Sequence, residues 1–369
     1  MRVPFLDLLR QYHELEAELN AALLACLQRG VYILGEEVTA FEQEWAAACG
    51  LSACAGVANG TDALVLALLA SDAIEPGRGN EVITTPLTAA YTALAIRQAG
   101  AVPVFADIDP VTYTLNPTAT EAAITPKTKV ILPVHLYGQM ADMPAFCQLA
   151  RQHGLVVIED CAQAHGASLQ GVKAGGYGAA AAFSFYPTKN LGAQGDGGAV
   201  VSRDAALIER VKTLRQGGHL QALQGATVGM NSRLDELQAA LLRVKLRHLE
   251  AWTARRRQIA ETYFAAFAGL PGLALPQASP KSEPVFHLFV VQSEQRAALR
   301  AHLAECGVET LIHYPYLLHQ QPLFRQDQPP ALPVAEQLGQ HIFSLPLNPH
   351  LREDEVAAVC AAVRSFFHH

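Results

Sequence analysis

The sequence lacks the features that mark three large classes of protein. No window reaches the ~18 uninterrupted apolar residues that a membrane-spanning helix requires, although hydrophobic residues occupy 50% of the chain. A formal net charge of −7 leaves no basic excess for nucleic acid. The seven cysteines form no CxxC pair and no metal-ligand spacing, and their odd number argues against a disulfide framework. We therefore expect no membrane span, no nucleic-acid partner and no bound metal.

The chain is too long for a single compact core. Its 369 residues exceed the ~250 to 300 at which single hydrophobic cores stop growing, so the length predicts two domains. We expect a large domain over residues 1–250, including a helical N-terminal segment, and a smaller domain over residues 251–369. Remaining apolar surface is expected to form a subunit interface. The first residues, Met1 to Asp7, lack the charged and apolar regions of a secretory signal, which predicts a cytoplasmic protein.

Strand and helix patterns alternate through the predicted large domain. Apolar strands are predicted at 53–57, 82–85, 102–106, 130–134, 155–158 and 199–202, and helices at 12–28, 36–48, 63–70, 88–99, 143–153 and 204–215. This alternation predicts an α/β fold with a largely parallel sheet covered on both faces. For the rest of the chain, the pattern predicts helices at 234–267, 294–306, 334–342 and 353–366, and strands at 285–291 and 308–312.

Several chemically useful residues follow predicted strands. Gly60 and Thr61 come after the first strand, where backbone N–H groups that open a helix form a ready anion site. Asp160 and Lys189 also stand at or just after strand ends. In open parallel sheets, ligands bind beyond the carboxyl ends of the strands. We therefore expect these residues to meet in one site.

Lys189 is the residue on which a chemical interpretation depends. It follows Pro187 and Thr188, between a strand-like apolar run and the glycine-rich segment 195–198. We hypothesise that its amine is the Schiff-base partner of an aldehyde cofactor. Such a cofactor also needs a carboxylate on its pyridine nitrogen and an anion site for its phosphate.

The sequence offers a candidate for each of those parts. Asp160 would serve the pyridine nitrogen, while Gly60, Thr61 and the Ser184 hydroxyl would serve the phosphate. Each candidate also has a simpler explanation: a strand-end aspartate caps a turn, and a Gly-Thr pair opens an ordinary helix. Ser184 is equally an ordinary strand hydroxyl, and Lys189 a solvated loop lysine. The order of these residues along the chain is more specific than any one of them.

That order resembles the DegT-type sugar aminotransferases over essentially the whole chain. The resemblance is carried by Val3-Pro-Phe-Leu-Asp7, Tyr32-Ile-Leu-Gly35, Asn59-Gly-Thr-Asp-Ala-Leu64, Glu159-Asp-Cys-Ala-Gln163-Ala-His165-Gly166, Ser184-Phe-Tyr-Pro-Thr-Lys189-Asn-Leu-Gly192, Gly195-Asp-Gly-Gly198 and Asn231-Ser-Arg-Leu-Asp-Glu-Leu-Gln-Ala-Ala240. It implies the aspartate aminotransferase-like fold, which is pyridoxal-phosphate fold type I. That fold has a large domain with a mostly parallel sheet and a smaller α+β C-terminal domain.

The resemblance also implies roles for individual residues. Lys189 would bind the pyridoxal phosphate aldehyde, Asp160 would pair with the pyridinium, and Gln163 would lie near the ring. The phosphate would be held by Gly60, Thr61 and Ser184. Asn231 would reach the phosphate in the neighbouring subunit, so a homodimer would share its active sites. A simpler role for Asn231 is to cap the helix that follows it, and the two roles are compatible. Ala89 stands where the family commonly has a stacking aromatic residue, and Tyr91 is the candidate replacement.

The implied activity is transfer of an amino group from glutamate to a nucleotide-linked keto-sugar, with pyridoxamine phosphate formed between the two halves. The segment 195–198 resembles members that act at C3, favouring a dTDP-linked 3-keto-6-deoxyhexose. A UDP-linked 3-keto-N-acetyl sugar acid and a 4-keto sugar remain alternatives. Tyr186, His313 and Tyr314 are candidate sugar contacts, or else aromatic residues that pack the two domains together.

Two functions from other classes are alternatives. Related dehydratases carry histidine in place of the lysine, and Lys189 argues against that activity. A non-catalytic regulatory protein that binds pyridoxal phosphate is the second alternative, and the complete set of site residues favours an enzyme.

Overall fold

The structure is a computed structural model that describes residues 1–221, 224–225, 227–325 and 330–367. Its helices are α1 Leu8–Arg29, α2 Glu36–Ala48, α3 Gly60–Ala70, α4 Ala90–Gln98, α5 Pro117–Ala122, α6 Met143–His153, α7 Ala205–Leu214, α8 Glu236–Leu246, α9 Leu249–Phe267, α10 Arg296–Glu305, α11 Pro333–His341 and α12 Glu353–Phe367. Among the described residues, no helix is both long and apolar enough to cross a lipid bilayer.

A seven-stranded sheet forms the centre of the fold. The strands are β1 Ala53–Val57, β2 Glu81–Thr84, β3 Val102–Phe105, β4 Thr128–Ile131, β5 Val156–Asp160, β6 Ser168–Leu169, β7 Val172–Lys173, β8 Ala180–Ser184, β9 Gly198–Ser202, β10 His219–Gln221, β11 Gln224–Gly225, β12 Ser282–Glu283, β13 Phe289–Gln292 and β14 Ile342–Leu345. The large sheet has the order β1-β9-β8-β5-β4-β2-β3.

Most neighbouring strands of this sheet are parallel, as the sequence predicts. The pairs β2–β3, β2–β4, β4–β5 and β5–β8 run parallel, whereas β9 is antiparallel to both β8 and β1. The carboxyl ends of β1, β5 and β8 therefore lie at the same end of the sheet, together with the start of β9. This end carries the candidate site.

Both faces of the sheet are buried. Successive residues of a strand belong to different apolar clusters: Val130 and Val200 pack in one, and Ile131 and Val201 in the other. Side chains alternate between the two faces of a strand, so the two clusters lie on opposite sides of the sheet. Burying one such side chain contributes ~1.5–3 kcal/mol, which makes this double core the main source of stability.

A third apolar cluster lies in the C-terminal part of the chain. Its members run from Ile259 to Val363, and Val3 from the N-terminus joins them. Val3 also pairs with Val308 through an isolated bridge. This cluster supports our proposal that the chain divides near residue 250, although Val3 packs with the smaller unit while Leu15 and Leu19 of α1 pack with Leu241 and Val244 of the large one.

Two predicted strands of this region are wrong in detail. The strand predicted at 285–291 begins at Phe289 and pairs antiparallel with β14, a strand that the sequence analysis missed. Residues 308–312 form no strand, because Val308 bridges to Val3 while Leu311 bridges to Ser344. The segment crosses between two partners and forms a continuous ladder with neither.

Helix starts also differ from the predictions. Helix α3 begins at Gly60 because the Asn59 side chain accepts a hydrogen bond from the Asp62 N–H at 2.9 Å. Helix α8 begins at Glu236, with Asp235 at the N-cap position. The suggestion that Asn231 caps this helix is therefore wrong.

Candidate active site

A cavity of about 720 Å³ opens at the end of the sheet that holds the carboxyl ends of β1, β5 and β8. The predicted site residues that line it are Gly60, Thr61, Tyr91, Asp160, Gln163, Ser184, Tyr186 and Lys189. The structure thus brings together residues that are far apart in the chain. Three predicted residues lie elsewhere: Asn231, His313 and Tyr314 do not line this cavity in the described structure.

Lys189 lies in a tight turn that follows β8. Its backbone N–H donates to the Tyr186 carbonyl at 2.8 Å. Pro187 suits such a turn because its ring fixes φ, and Gly192 is required because a Cβ there would lie 2.4 Å from the Pro187 carbonyl oxygen. Burial lowers the pKa of Lys189 to about 8, against the opposing effect of the Asp160 charge. More of the amine is therefore unprotonated, and nucleophilic, near neutral pH than in an ordinary lysine.

Asp160 ends β5 and is 3% exposed. One carboxylate oxygen accepts from the Thr92 hydroxyl at 2.8 Å, and the other from the Ala162 N–H at 3.1 Å. Burial raises the pKa of this carboxyl, while those hydrogen bonds and the Lys189 charge lower it, and burial prevails. Buried carboxylates are normally paired with a cation, so Asp160 is suited to receive a cationic N–H from a ligand.

Gln163 is held in one orientation by two neighbours. Its Oε1 accepts from the Tyr137 N–H, and its Nε2 donates to the Tyr314 hydroxyl, each at 2.7 Å. The Tyr137 hydroxyl in turn donates to the His313 carbonyl. This network connects the cavity to the loop at 313–314 and fixes the plane of the Gln163 amide.

The start of helix α3 provides an anion site. Asn59 accepts from the N–H groups of Asp62 and Ala63, and no acceptor among the described residues takes the first N–H groups of the helix, those of Gly60 and Thr61. A Cβ on Gly60 would lie 2.5 Å from the Ser184 Cβ, so only glycine lets this helix approach Ser184. The Ser184 hydroxyl therefore stands directly beside the positive end of the helix dipole.

His165 supports Ser184 from behind. Its Nε2 donates to the Ser184 carbonyl at 2.9 Å, which requires the proton on that nitrogen. The imidazole is fully buried among Trp45, Phe183 and Phe185. Burial lowers the pKa of His165 to about 3, so the ring stays neutral. The sequence motif that contains His165 predicts no role for it, because only the fold shows which carbonyl its ring contacts.

The remaining predicted residues differ in position. Tyr91 and Tyr186 line the cavity, yet they remain 63% and 53% exposed, so each can contact a ligand at the mouth. Asn231 is exposed and pairs with Gln216 through an isolated bridge. The His313 ring forms a hydrogen bond with the Ser344 hydroxyl and lines a second cavity. The Tyr314 hydroxyl accepts a hydrogen bond from the Gln163 amide. Sugar contact by His313 or Tyr314 therefore receives no support from the arrangement of this chain.

A cluster of possible metal ligands, His135, Glu159 and Cys161, is buried beside the cavity. The Glu159 carboxylate already accepts four hydrogen bonds, from the N–H groups of Gly175, Tyr177 and Gly178 and from His135. His135 uses its other nitrogen to accept from the Ala141 N–H. With these lone pairs occupied, the cluster is a hydrogen-bonded support for the end of β5.

The cavity fits pyridoxal phosphate. Asp160 offers a buried carboxylate without a bound cation among the described residues, and Lys189 offers an amine. The N-terminus of helix α3 offers an anion site, and any residue larger than glycine at position 60 would clash with Ser184 there. These are the aldehyde, pyridinium and phosphate partners that this cofactor needs.

Comparison with known proteins agrees with this chemistry. Residues 13–364 match the profile of the DegT/DnrJ/EryC1/StrS aminotransferase family. A relative from Streptomyces venezuelae, dTDP-3-amino-3,4,6-trideoxy-alpha-D-glucose transaminase, is 47% identical over 99% of this chain and 96% of its own. Erythromycin biosynthesis sensory transduction protein EryC1 of Saccharopolyspora erythraea is 47% identical over 99% of this chain and all of its own.

The crystal structure of S. venezuelae DesV in complex with a ketimine intermediate superposes with a TM-score of 0.97 and 47% identity, over 100% of this chain and 99% of that one. The fold expected from the resemblance is thereby confirmed. The chain belongs to the DegT/DnrJ/EryC1/StrS aminotransferase family and is a pyridoxal-phosphate-dependent aminotransferase.

Proposed function

We propose that the protein transfers the amino group of glutamate to C3 of a dTDP-linked 3-keto-6-deoxyhexose. The observation that carries the proposal is the meeting of Lys189, Asp160 and the Gly60 helix start in one cavity. The relative named as a transaminase of a dTDP-3-amino sugar supports the choice of nucleotide and carbon. Asp196, the residue that suggested C3 chemistry in the sequence, also lines the cavity.

Each cavity residue has a proposed task. Pyridoxal phosphate supplies an aldehyde that condenses with amines and a ring that accepts electrons. Lys189 moves a proton to or from the α-carbon of the donor, since its pKa of about 8 keeps part of it unprotonated near neutral pH. Asp160 holds a pyridinium N–H by a charge-assisted hydrogen bond. Gly60, Thr61 and Ser184 bind the phosphate.

Other tasks concern the ring and the sugar. Gln163 contacts the cofactor ring in the orientation that Tyr137 and Tyr314 impose. Tyr91 provides the stacking surface that Ala89 lacks, and Tyr186 contacts the sugar at the mouth of the cavity. These roles are supported by position alone, because each side chain lines the same cavity.

The protein is proposed to act as a homodimer in the cytoplasm. Asn231 is exposed and lies outside the cavity of its own chain, as a residue that serves a partner subunit would. Exposed apolar residues Val31, Tyr32 and Ile33 follow α1 and are suited to a subunit contact. The free cysteines fit a reducing compartment.

A panel of nucleotide-linked aminosugars, run in the reverse direction, tests the choice of substrate. The pyridoxal-phosphate form of the enzyme is mixed with each sugar, and loss of the cofactor absorbance band is followed. A dTDP-3-amino-6-deoxyhexose should react fastest. Faster reaction of a 4-amino sugar, or of a UDP-linked 3-amino sugar acid, would replace this proposal with the corresponding alternative.

A purely regulatory role is the candidate from another class, since one relative is named a sensory transduction protein. The response of the bound cofactor to glutamate separates the two functions, because both proteins would bind pyridoxal phosphate. The purified enzyme should be yellow, and its absorbance band should shift when glutamate is added. A yellow protein whose band does not shift with glutamate would favour the regulatory role, and a protein that stays colourless with added cofactor would exclude both.

A further inference from the structure

A second cavity, of about 850 Å³, lies between the N-terminal segment and the C-terminal part of the chain. Thr188 forms part of its wall, so it adjoins the turn that carries Lys189. Lys189 itself does not line it; it lines the first cavity instead. The two cavities therefore meet the same turn at different residues.

Arg256 is the chemically unusual residue of this second cavity. It is 4% exposed, and its Nη1 donates to the carbonyls of Phe286, His287 and Leu347. Its Nε is buried without a hydrogen-bond partner, and no carboxylate of the described residues forms an ion pair with it. Burial lowers the pKa of Arg256 to about 9. Buried charges are normally paired, so the wall of this cavity holds an uncompensated cation.

The other charged groups around the cavity do not neutralise it. Glu309 is the carboxylate in the wall, and it is already paired with Arg2 at 2.7 Å. Arg300 adds a second cation, whose guanidinium donates to the Thr310 hydroxyl and carbonyl.

Two histidines in the wall remain neutral. Burial, reinforced by the Lys189 charge, lowers the pKa of His313 to about 4 and that of His287 well below its ordinary value. Among the described residues of the wall, the positive charges without a carboxylate partner are those of Arg256 and Arg300, and the cavity attracts anions.

We propose that this cavity is a binding site, separate from the Lys189 cavity, for a small organic carboxylate. The Arg256 guanidinium binds the carboxylate, and Phe5, Leu311 and Leu347 pack against the carbon skeleton. A buried guanidinium without a carboxylate partner among the described residues balances one negative charge, and a carboxylate is an anion that a guanidinium recognises well. The apolar walls favour an anion with a hydrocarbon part over inorganic phosphate.

Two substitutions on helix α10 test the site without disturbing the fold. Ala304 lines the cavity and is exposed, so Ala304→Glu adds a negative charge at its mouth. Ala301 lies one turn earlier, is also exposed and does not line the cavity. Ala301→Glu is therefore the matched control, with the same added charge on the same helix.

The measurement is calorimetric titration of phenylacetate into the holoenzyme. Phenylacetate carries neither an amine nor a ketone, so it is not a substrate of the proposed reaction. Wild type and Ala301→Glu should bind it equally, and Ala304→Glu should bind it about fivefold more weakly, as one like charge close to the ligand predicts. Inorganic phosphate should bind more weakly than phenylacetate.

Equal affinity of Ala304→Glu and Ala301→Glu would overturn the proposal, as would the absence of binding to wild type. Tighter binding of phosphate would overturn the choice of a carboxylate. The site does not depend on the proposed reaction, because each of these outcomes is read from binding alone.

Discussion

Glu159 and Asp160 are adjacent carboxylates at the end of one strand, and they lie in opposite environments. Both are buried, at 0% and 3% exposure. Glu159 accepts four hydrogen bonds, which outweigh the effect of burial and hold its pKa below the ordinary value. Asp160 accepts two, and burial holds its pKa above the ordinary value.

The difference shows how one strand end serves both the fold and the site. Successive residues of a strand point to opposite faces, so Glu159 enters the interior while Asp160 enters the cavity. The number of donors then decides the role. Glu159 is fully satisfied and connects β5 to His135 and to the loop at 175–178. Asp160 keeps charge available for a ligand.

The largest expected effect is the loss of turnover when Lys189, which lines the cavity with Asp160, is replaced. Lys189→Ala should reduce turnover about 10⁴-fold or more, because the variant lacks the amine that moves the proton. Its thermal stability should stay close to that of wild type, since the Lys189 amine makes no hydrogen bond with the described residues. Turnover is measured with glutamate and the dTDP-keto-sugar, with the exposed Lys129→Ala as control. Normal activity in Lys189→Ala would remove it from the mechanism.

The next largest effect is a loss of stability when Glu159, which points into the protein interior, is replaced. Glu159→Gln should lower the free energy of unfolding by about 3 kcal/mol, because an amide NH₂ would face backbone N–H groups in a buried site. Urea denaturation of the cofactor-free protein measures it, with the exposed Glu121→Gln as control. Unchanged stability would contradict the structural role of Glu159.

The stabilisation by Glu159 should also depend on pH. A carboxyl whose pKa is lowered by folding stabilises the protein above its unfolded value, here 4.5, and this contribution fades as the pH falls through the folded pKa. The difference between wild type and Glu159→Gln should therefore shrink below about pH 4.5. A difference that grows in acid would have the wrong sign.

Asp160→Asn should have the opposite effect on stability, and a smaller one. Because folding raises the pKa of Asp160, its ionised form opposes folding at neutral pH. Without cofactor, the variant should be as stable as wild type or up to ~1 kcal/mol more stable. The same urea experiment checks this. A loss as large as that of Glu159→Gln would mean that the two carboxylates do not differ as described.

The smallest effect concerns the Gln163 network. Tyr314→Phe removes the hydroxyl that accepts from Gln163 at 2.7 Å. Loss of one neutral hydrogen bond, ~1 kcal/mol, should lower kcat about fivefold. Tyr316, a neighbour that is 69% exposed, provides the control as Tyr316→Phe. Equal kcat in both variants would show that Tyr314 does not position Gln163 for the reaction.

The elements around the cavity could be predicted from the sequence because their local signals agree with the tertiary environment. Short apolar strands followed by Gly60, Asp160 and Lys189 indicate strand ends, and a parallel sheet brings strand ends together. Lys189 and Asp160 therefore meet as predicted. The strands that were predicted incorrectly are those that pair with segments distant in the sequence. One example is 308–312, which forms bridges with Val3 and Ser344.

The supporting residues could not be predicted. Thr92 donates to Asp160 across 68 positions of sequence, and Tyr137 reaches Gln163 through its backbone N–H, which no side-chain pattern reveals. The sequence makes Tyr314 a candidate sugar contact or a packing residue between the domains, and it gives no sign that the Tyr314 hydroxyl contacts Gln163. Short elements such as α5 and β6 were also missed, since two to six residues carry too little periodicity.

Asp160 is expected to act through the cofactor ring, whereas Glu159 supports the fold. The direct test is the rate at which the holoenzyme forms 2-oxoglutarate when mixed with glutamate alone, in wild type and in Asp160→Asn. Wild type should form one equivalent per site, and Asp160→Asn should do so at least ~100-fold more slowly while remaining folded. Equal rates in the two proteins, or no 2-oxoglutarate from wild type, would contradict the account.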